Sequence, residues 1–287
     1  MMVHQNFSVK LAAMAVLAFA AFPVRAQVAG PIAPPPKFEA KKVPPKPDPG
    51  APPLPAEEII HRFSANEDLI KKAFDAQSYD QSVKVEELVD NGGQFEFTGQ
   101  VYTKPGGERY VRVVKPPLST LKYTEFSLED IKTIDSFPLF ILNTDQLPSY
   151  DLSYEGQEKL DEIDTFIFRV KPKQLGKQPL FDGVVWIDDQ EFAIVKSYGQ
   201  FVTEAGNFPA SFPFIMFDTY RENLQSHLWF PTYIRSDGSV HTQQGEVPIR
   251  LVVRAANFKP EAAASPAPSA PQSPASIKPP ARQNNFQ

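Results

Sequence analysis

From Ser78 onward the apolar residues of this chain recur at every second position, and short turn signals interrupt them every 10 to 15 residues. That period belongs to strands half-buried in a sheet, not to helices. "QFEFTGQVYTK" sets Phe95, Phe97 and Val101 on one face against Gln94, Glu96, Thr98 and Gln100 on the other. "SYDQSVKVEELVD" alternates before it, with Val83, Val85 and Leu88 inward, and ends at the Asn91-Gly92-Gly93 turn. "PGG" at Pro105 to Gly107 turns the chain into "ERYVRVVK". Three consecutive hairpin-linked strands make the sheet antiparallel.

Two segments have a helical period. In "PAEEIIHRFSANEDLIKKAFDAQ", Ile59, Phe63, Ile70 and Phe74 fall on one stripe, with acids early and Lys71 and Lys72 late, as the helix dipole favours. "FSLEDIKTID" opens with Ser127 three residues before Asp130, the pattern of a capped short helix. Eight further strand-like stretches follow, from "FPLFILN" to "VPIRLVVRAANF", and none is separated by a repeated crossover helix. About ten strands and two helices predict an antiparallel barrel or a strongly curved sheet with a helix packed on it.

The ends read differently. Residues 1–26 have Lys10 in an acid-free start, the apolar run "LAAMAVLAFAAF" and small residues at Val24 and Ala26, the plan of a secretory signal peptide. Twelve apolar residues are too few to span a hydrocarbon core that needs roughly 20, so export, and a bacterial periplasm, is the expected destination. Residues 27–55 hold 11 prolines and residues 259–287 seven, among Ala and Ser. Such stretches favour extended, unpacked chain and read as a linker and a tail. The folded domain is then residues 56–258, with 20 Lys and Arg against 31 Asp and Glu, a net charge of −11. Phosphate contacts need clustered cations, so nucleic acid is excluded as a partner. No cysteine is present, which removes disulfides, thiol catalysis, cysteine-based zinc sites and a lipid-modified cysteine.

Candidate chemistry is sparse. "GVVWIDDQEFAIVKSYG" places Asp188, Asp189 and Glu191 together, either as metal or acid–base ligands or as the polar tip of a hairpin. Asp favours turns because its side chain bonds nearby backbone, and calcium or magnesium would need more oxygen ligands at set spacing; the turn is the preferred reading. "LDEIDT" at 160–165 reads as a charged turn, and Asp237-Gly238 in "SDGSVHT" as a hairpin turn. His61, His227 and His241 show no metal-ligand spacing. No nucleophile elbow, phosphate loop or zinc-protease helix motif occurs, so no catalytic residue, metal or cofactor is assigned.

Aromatic content points elsewhere. Residues 56–258 hold 29 aromatics, 18 of them Phe, and several strands are apolar on both faces. Phe166 and Phe168 oppose Ile167, and Val185 and Ile187 oppose Val184 and Trp186. Two apolar faces mean either a core filled under helices or an apolar cavity. Candidate lining residues are Phe95, Phe97, Val113, Phe166, Phe168, Val185, Trp186, Ile187, Phe192 and Ile194. The loop "NFPASFPFIMF" adds Phe208, Phe212, Phe214 and Met216, as an entrance or as a segment tucked into the core.

The succession "YDLSYEGQEKLDEIDTFIFRVKPK", "GVVWIDDQEFAIVKSYG" and "YRENLQSHLWFPTYIRSDG" resembles the LolA-like superfamily of periplasmic outer-membrane lipoprotein-sorting proteins, and in particular its tail-bearing acidobacterial-type members. The resemblance spans about residues 57–258. It implies an unclosed antiparallel β-barrel, a strongly curved sheet of about eleven strands, with helices over an apolar concave face. It further implies carriage of lipid or lipoprotein acyl chains, or sensing or binding of envelope proteins, with no catalytic residue. A monomer without cofactor, open to peripheral membrane contact, is the expected state. Arg112 and Arg169, in otherwise apolar strands, are the candidates for such a carrier's functional arginine.

Overall fold

A computed structural model describes residues 50–104, 108–209, 212–225, 227–243 and 245–260. The signal-peptide reading, most of the two proline-rich segments, the Pro105–Gly107 turn, and Ala210 and Ser211 of the candidate entrance lie outside them.

The alternating pattern becomes a single eleven-stranded antiparallel sheet. Its strands are β1 (Gln77–Glu87), β2 (Gln94–Thr103), β3 (Arg109–Ser119), β4 (Tyr150–Leu160), β5 (Ile163–Pro172), β6 (Leu180–Asp188), β7 (Ile194–Thr203), β8 (Gly206–Asn207), β9 (Phe217–Gln225), β10 (Leu228–Thr242) and β11 (Gly245–Pro260). They are ordered β3-β2-β1-β11-β10-β9-β7-β6-β5-β4, with the two-residue β8 on β7 alone. β3 and β4 are the two ends of this order, so the sheet is an unclosed barrel. The expected fold class, mainly β with covering helices, is the one observed.

Register follows the apolar alternation. Val83 lies opposite Phe97, and Val85 opposite Phe95; all four are buried. Leu88, expected inward, lies just past β1 and is 40% exposed. Gly183 and Gly199 face each other across β6 and β7. A Cβ on either would stand 2.4 or 2.6 Å from the tip of the Phe181 ring, so glycine at both positions gives that ring its seat on the sheet.

Asp237-Gly238 is not a turn. β10 runs through it, pairing Asp237 with Arg250 and Gly238 with Ile249. Glycine is needed there for another reason: a Cβ would lie 2.1 Å from the Pro213 carbonyl oxygen, where the 212–216 segment crosses the strand.

One face of the sheet is covered by α1 (Ala56–Asp75), whose Ile59, Phe63, Ile70 and Phe74 are all buried. Phe63 packs edge-on to Phe168 of β5 at 6.1 Å, and Phe74 edge-on to Phe230 of β10 at 5.4 Å. Between these contacts the same stripe carries a charge. Glu67 and Arg221 of β9 form a bidentate pair at 2.6 and 2.8 Å, with side chains 0% and 3% exposed. Arg221 also donates to the Leu139 carbonyl at 3.1 Å and lies 4.9 Å from the Phe140 ring centre.

α2 (Leu128–Asp135) starts with the capping box read from the sequence, Ser127 and Asp130 bonding each other's backbone. The approach to it is tied by Glu87, which is 5% exposed and accepts from the backbone N–H groups of Gly93, Lys122, Tyr123 and Thr124 at 2.7–3.2 Å. Burial raises this carboxyl, but the four donors together outweigh it and hold it below the ordinary glutamate range.

Removing one member of a buried pair strands the other charge. Glu67→Gln or Arg221→Met is expected to cost about 3–5 kcal/mol in chemical denaturation, and the joint Glu67→Leu, Arg221→Met variant to recover most of it.

Candidate functional site

Most of the sheet's covered face is filled. Phe95, Phe166, Phe168, Val185, Ile187 and Ile194 are 0–2% exposed and belong to one continuous core with Ile59 and Phe63 of α1. Phe212 and Phe214 join that core, with Phe208 packed against it, so the described part of the 207–217 segment tucks inward. Met216 is half-buried beside the exposed Ile215, along a shallow groove with Gln200 and Asp237. Phe192 is half-buried at the β6–β7 turn, under the Arg62 guanidinium at 4.8 Å. Trp186 lies on the other face of the sheet, its Nε1 donating to Glu158 at 2.8 Å and its ring facing Lys196.

The open space is at the β3 edge. A cavity of about 780 Å³ lies between the inner face of β2 and β3, the last turn of α1, α2 and the strap that runs from Ser136 to Gln146. Phe97, Val111 and Val113 form its sheet wall; Leu128 and Ile131 come from α2; Phe137, Pro138, Leu139 and Phe140 come from the strap. Of the residues singled out from the sequence, Phe97 and Val113 line it.

The strap is fixed at two aromatic points. Phe137 stacks on Phe201 at 5.5 Å and meets Phe217 edge-on at 4.9 Å. Phe140 sits between Phe74, at 5.3 Å, and the Arg221 guanidinium. A third tie crosses the cavity itself. Arg109, the first residue of β3, donates through Nη2 to the carbonyls of Asp135 and Phe137 at 2.6 and 2.8 Å. Those are carbonyls at the C-terminal end of α2, where partial negative charge collects. Arg112 and Arg169 face away: Arg112 donates to Gln100 at 2.6 Å, and Arg169 pairs with Asp182 on the outer face.

Apart from Arg109 and Asp135, the charges around the cavity are paired. Lys71 bonds Asp75, Lys132 bonds Glu129 at 2.7 Å, and Glu108 bonds Lys104 at 3.2 Å. Asp135, half-buried at the end of α2, is held above the ordinary aspartate range by burial, against the opposing pull of a Gln81 hydrogen bond and the Arg109 charge. Tyr79 beneath it is pushed up to about 12, mainly by burial, with Arg109 opposing and Asp135 and Asp75 adding to it.

The acidic hairpin is a structural turn. Asp188 is 7% exposed and its Oδ1 accepts from the N–H groups of Gln190 and Glu191 at 2.7 and 2.9 Å. Glu191 turns the other way and takes bonds from Trp229 Nε1 at 2.6 Å and Asn223 at 3.2 Å, with His227 Nδ1 at 2.9 Å. Among the described residues no three His, Asp or Glu side chains are grouped to hold a metal ion.

Fold and cavity together define the class: an open antiparallel half-barrel, bridged by one helix, with an apolar cavity under a strap at one edge. Solved structures similar to the chain include a LolA superfamily protein from Nitrosomonas europaea, at 16% identity and TM-score 0.37, covering 72% of this chain and 93% of that one. A DUF1329 family protein from Desulfovibrio piger matches at 16% identity and TM-score 0.34, over 71% and 95%. A domain named for outer membrane lipoprotein sorting, from Vibrio parahaemolyticus, matches at 12% and 0.33, over 68% and 91%. No protein-family model and no curated protein matches the chain. Function therefore has to be read from the cavity itself.

Arg109→Gln shortens the side chain and removes the charge that crosses the cavity. Amide exchange across residues 136–146 is expected to quicken by about tenfold, the equivalent of ~1.4 kcal/mol for a charge-assisted bond. Exchange in β5 and β6 is expected to stay unchanged.

Proposed function

We propose that this is a binding or carrier protein of the bacterial envelope that shelters an acyl chain, of a lipid or a lipoprotein, in the cavity under the strap. The observation that carries the reading is the 780 Å³ space with its mainly apolar lining, a size and character shared by dedicated small-molecule pockets. It stands beside a core that is otherwise filled. Its floor and roof are mainly Phe, Val, Leu, Ile and Pro, crossed by the Arg109 side chain with Asp135 beside it, and its lysines are paired with acids. Apolar walls of this kind match the need of an acyl chain, which costs about 0.8 kcal/mol for each CH₂ left in water. A 16-carbon chain thus demands on the order of 10 kcal/mol of shelter. Release is served by a roof made of one short helix and one strap instead of a second sheet.

The export reading of residues 1–26 places the protein in the periplasm, and the proline-rich linker and tail act as spacers there. The role is one of binding, and no catalytic step is assigned. One observation favours a protein-interaction or sensor module as the alternative: β3, at the end of the sheet order, exposes Val114 and Leu118, which do not line the cavity, to solvent.

Native mass spectrometry of protein purified without denaturant separates the two. Carriage predicts fatty-acyl adducts on the wild type and their loss in Ile131→Trp, which fills the cavity, with unchanged circular dichroism. A clean empty mass for the wild type, with no uptake of added fatty-acyl lipid, would overturn the carrier reading.

A further inference from the structure

The stretch from Lys104 to Lys122 reverses the charge of the domain around it. It holds five cations, Lys104, Arg109, Arg112, Lys115 and Lys122, against Glu108 alone, in a domain where acids outnumber cations 31 to 20. Arg109 is spent inside the cavity and Lys104 on Glu108, which leaves Arg112, Lys115 and Lys122 exposed along the edge of the sheet. Arg112 bonds the neutral Gln100 and Lys122 the Asn91 carbonyl, so acids among the described residues do not neutralise them.

The same edge exposes apolar side chains. Leu118 is 70% and Val114 53% exposed; Tyr110, Val113 and Leu128 of α2 are 40–45% exposed while also lining the cavity. The cavity therefore opens at this edge. Val114 is exposed for a local reason. The register passes from Val113 opposite Gly99 to Lys115 opposite Thr98, so Val114 is the extra residue of a bulge. Beside these residues Tyr102 and Tyr110 stack at 5.2 Å, with Arg112 5.7 Å from the Tyr102 ring and Lys104 5.7 Å from the Tyr110 ring.

A sheet edge with exposed apolar residues can take a further strand or a lipid surface. Pro116 and Pro117, both within β3, decide between them. Adjacent residues of a strand aim their N–H groups to opposite sides, so one of the two prolines deprives the free side of a donor. The Val114 bulge interrupts the remainder, and a partner strand finds no continuous ladder. A lipid interface needs none. It takes apolar side chains at the acyl boundary, tyrosine at headgroup depth and cations on the phosphates. The domain's net charge of −11 does not oppose this at a distance, because repulsion beyond roughly 8 Å is screened at physiological ionic strength. Glu108 and Glu129 at the rim are each paired with a lysine.

We propose that the β3 edge docks on an anionic phospholipid surface, with Val113, Val114 and Leu118 at the acyl boundary and Arg112, Lys115 and Lys122 on the phosphates. Docking of this kind sets the open side of the cavity against the lipid. It rests on the carrier reading only in giving a cargo chain its route of entry; the docking itself stands without carriage.

Co-sedimentation with vesicles tests this, on exported protein that has lost residues 1–26. Vesicles of equal parts phosphatidylglycerol and phosphatidylethanolamine are expected to bind the wild type, and phosphatidylcholine vesicles to bind it at least tenfold more weakly. Arg112→Gln with Lys115→Gln is expected to weaken binding to the anionic vesicles about 30-fold, ~1 kcal/mol for each charge, with a smaller loss at high salt. Val114→Ser with Leu118→Ser is expected to weaken it about tenfold or more at either salt concentration. Both variants change exposed side chains, so an unchanged melting temperature checks that they fold. Equal sedimentation with both vesicle types, none with either, or full binding by both variants overturns the docking. A β3-dependent dimer that leaves vesicles unbound overturns it in favour of a protein partner. Ile131→Trp, which fills the cavity, is expected to keep vesicle binding; its loss there would put the contact in the cavity and overturn the edge. Vesicle binding by a wild type that carries and takes up no fatty-acyl lipid supports the docking and counts against the carrier reading alone.

Discussion

A guanidinium and a carboxylate, each almost wholly out of water, hold this half-barrel in its shape. Glu67 lies in the middle of α1's apolar stripe and Arg221 on the inner face of β9, and neither could be buried without the other. Their value is positional more than energetic, because desolvation consumes much of the Coulombic gain. The pair sets where the helix crosses the sheet. Arg221 then reaches on to the Leu139 carbonyl and the Phe140 ring, so the same charge that places the helix also places the strap. The cavity is what remains between a helix and strap so placed and the β3 end of the sheet.

That geometry explains why one part of the inner face is full and another is open. α1 passes over β5 and β10, and its Phe63 and Phe74 fill the space there against Phe168 and Phe230. Over β2 and β3 the helix is in its last turn, and the cover is supplied by α2 and the strap, held by Phe137, Phe140 and Arg109. A few side-chain contacts with backbone carbonyls and rings hold this cover, and no sheet ladder does. Such an arrangement opens locally at lower cost than the rest of the fold.

Most strands and their facing were legible because a period of two needs only neighbouring residues to be read. "FPLFILN", read as a strand, is the strap at 137–143, whose apolar residues answer distant strands instead of a ladder. α2 was legible too, through Ser127 and Asp130, whose capping is local. Asp237-Gly238 misled because a turn dipeptide is only a local preference; here the glycine answers a tertiary contact with Pro213. An apolar cavity was one of the two readings of the sequence, but its place was not legible, since its roof is a strap whose position depends on Phe137 and Phe140 meeting distant strands. The arginine that crosses the cavity, however, could have been found. Adjacent residues of a strand point to opposite faces, so Val113 in the cavity wall excludes Arg112 and selects Arg109, two places before Val111. Nothing local marks Glu67 and Arg221 as partners across 154 positions.

The proposed carrier role requires an acyl chain to lie between the β3 end of the sheet and the strap. A fatty acid bearing a diazirine at its far end, photolysed in the full-length protein and mapped by peptide mass spectrometry, tests this directly. Labels on Val111, Ile131, Phe137 or Leu139 are the expected result. Labels confined to the 207–217 segment or to the outer face around Trp186 would contradict it.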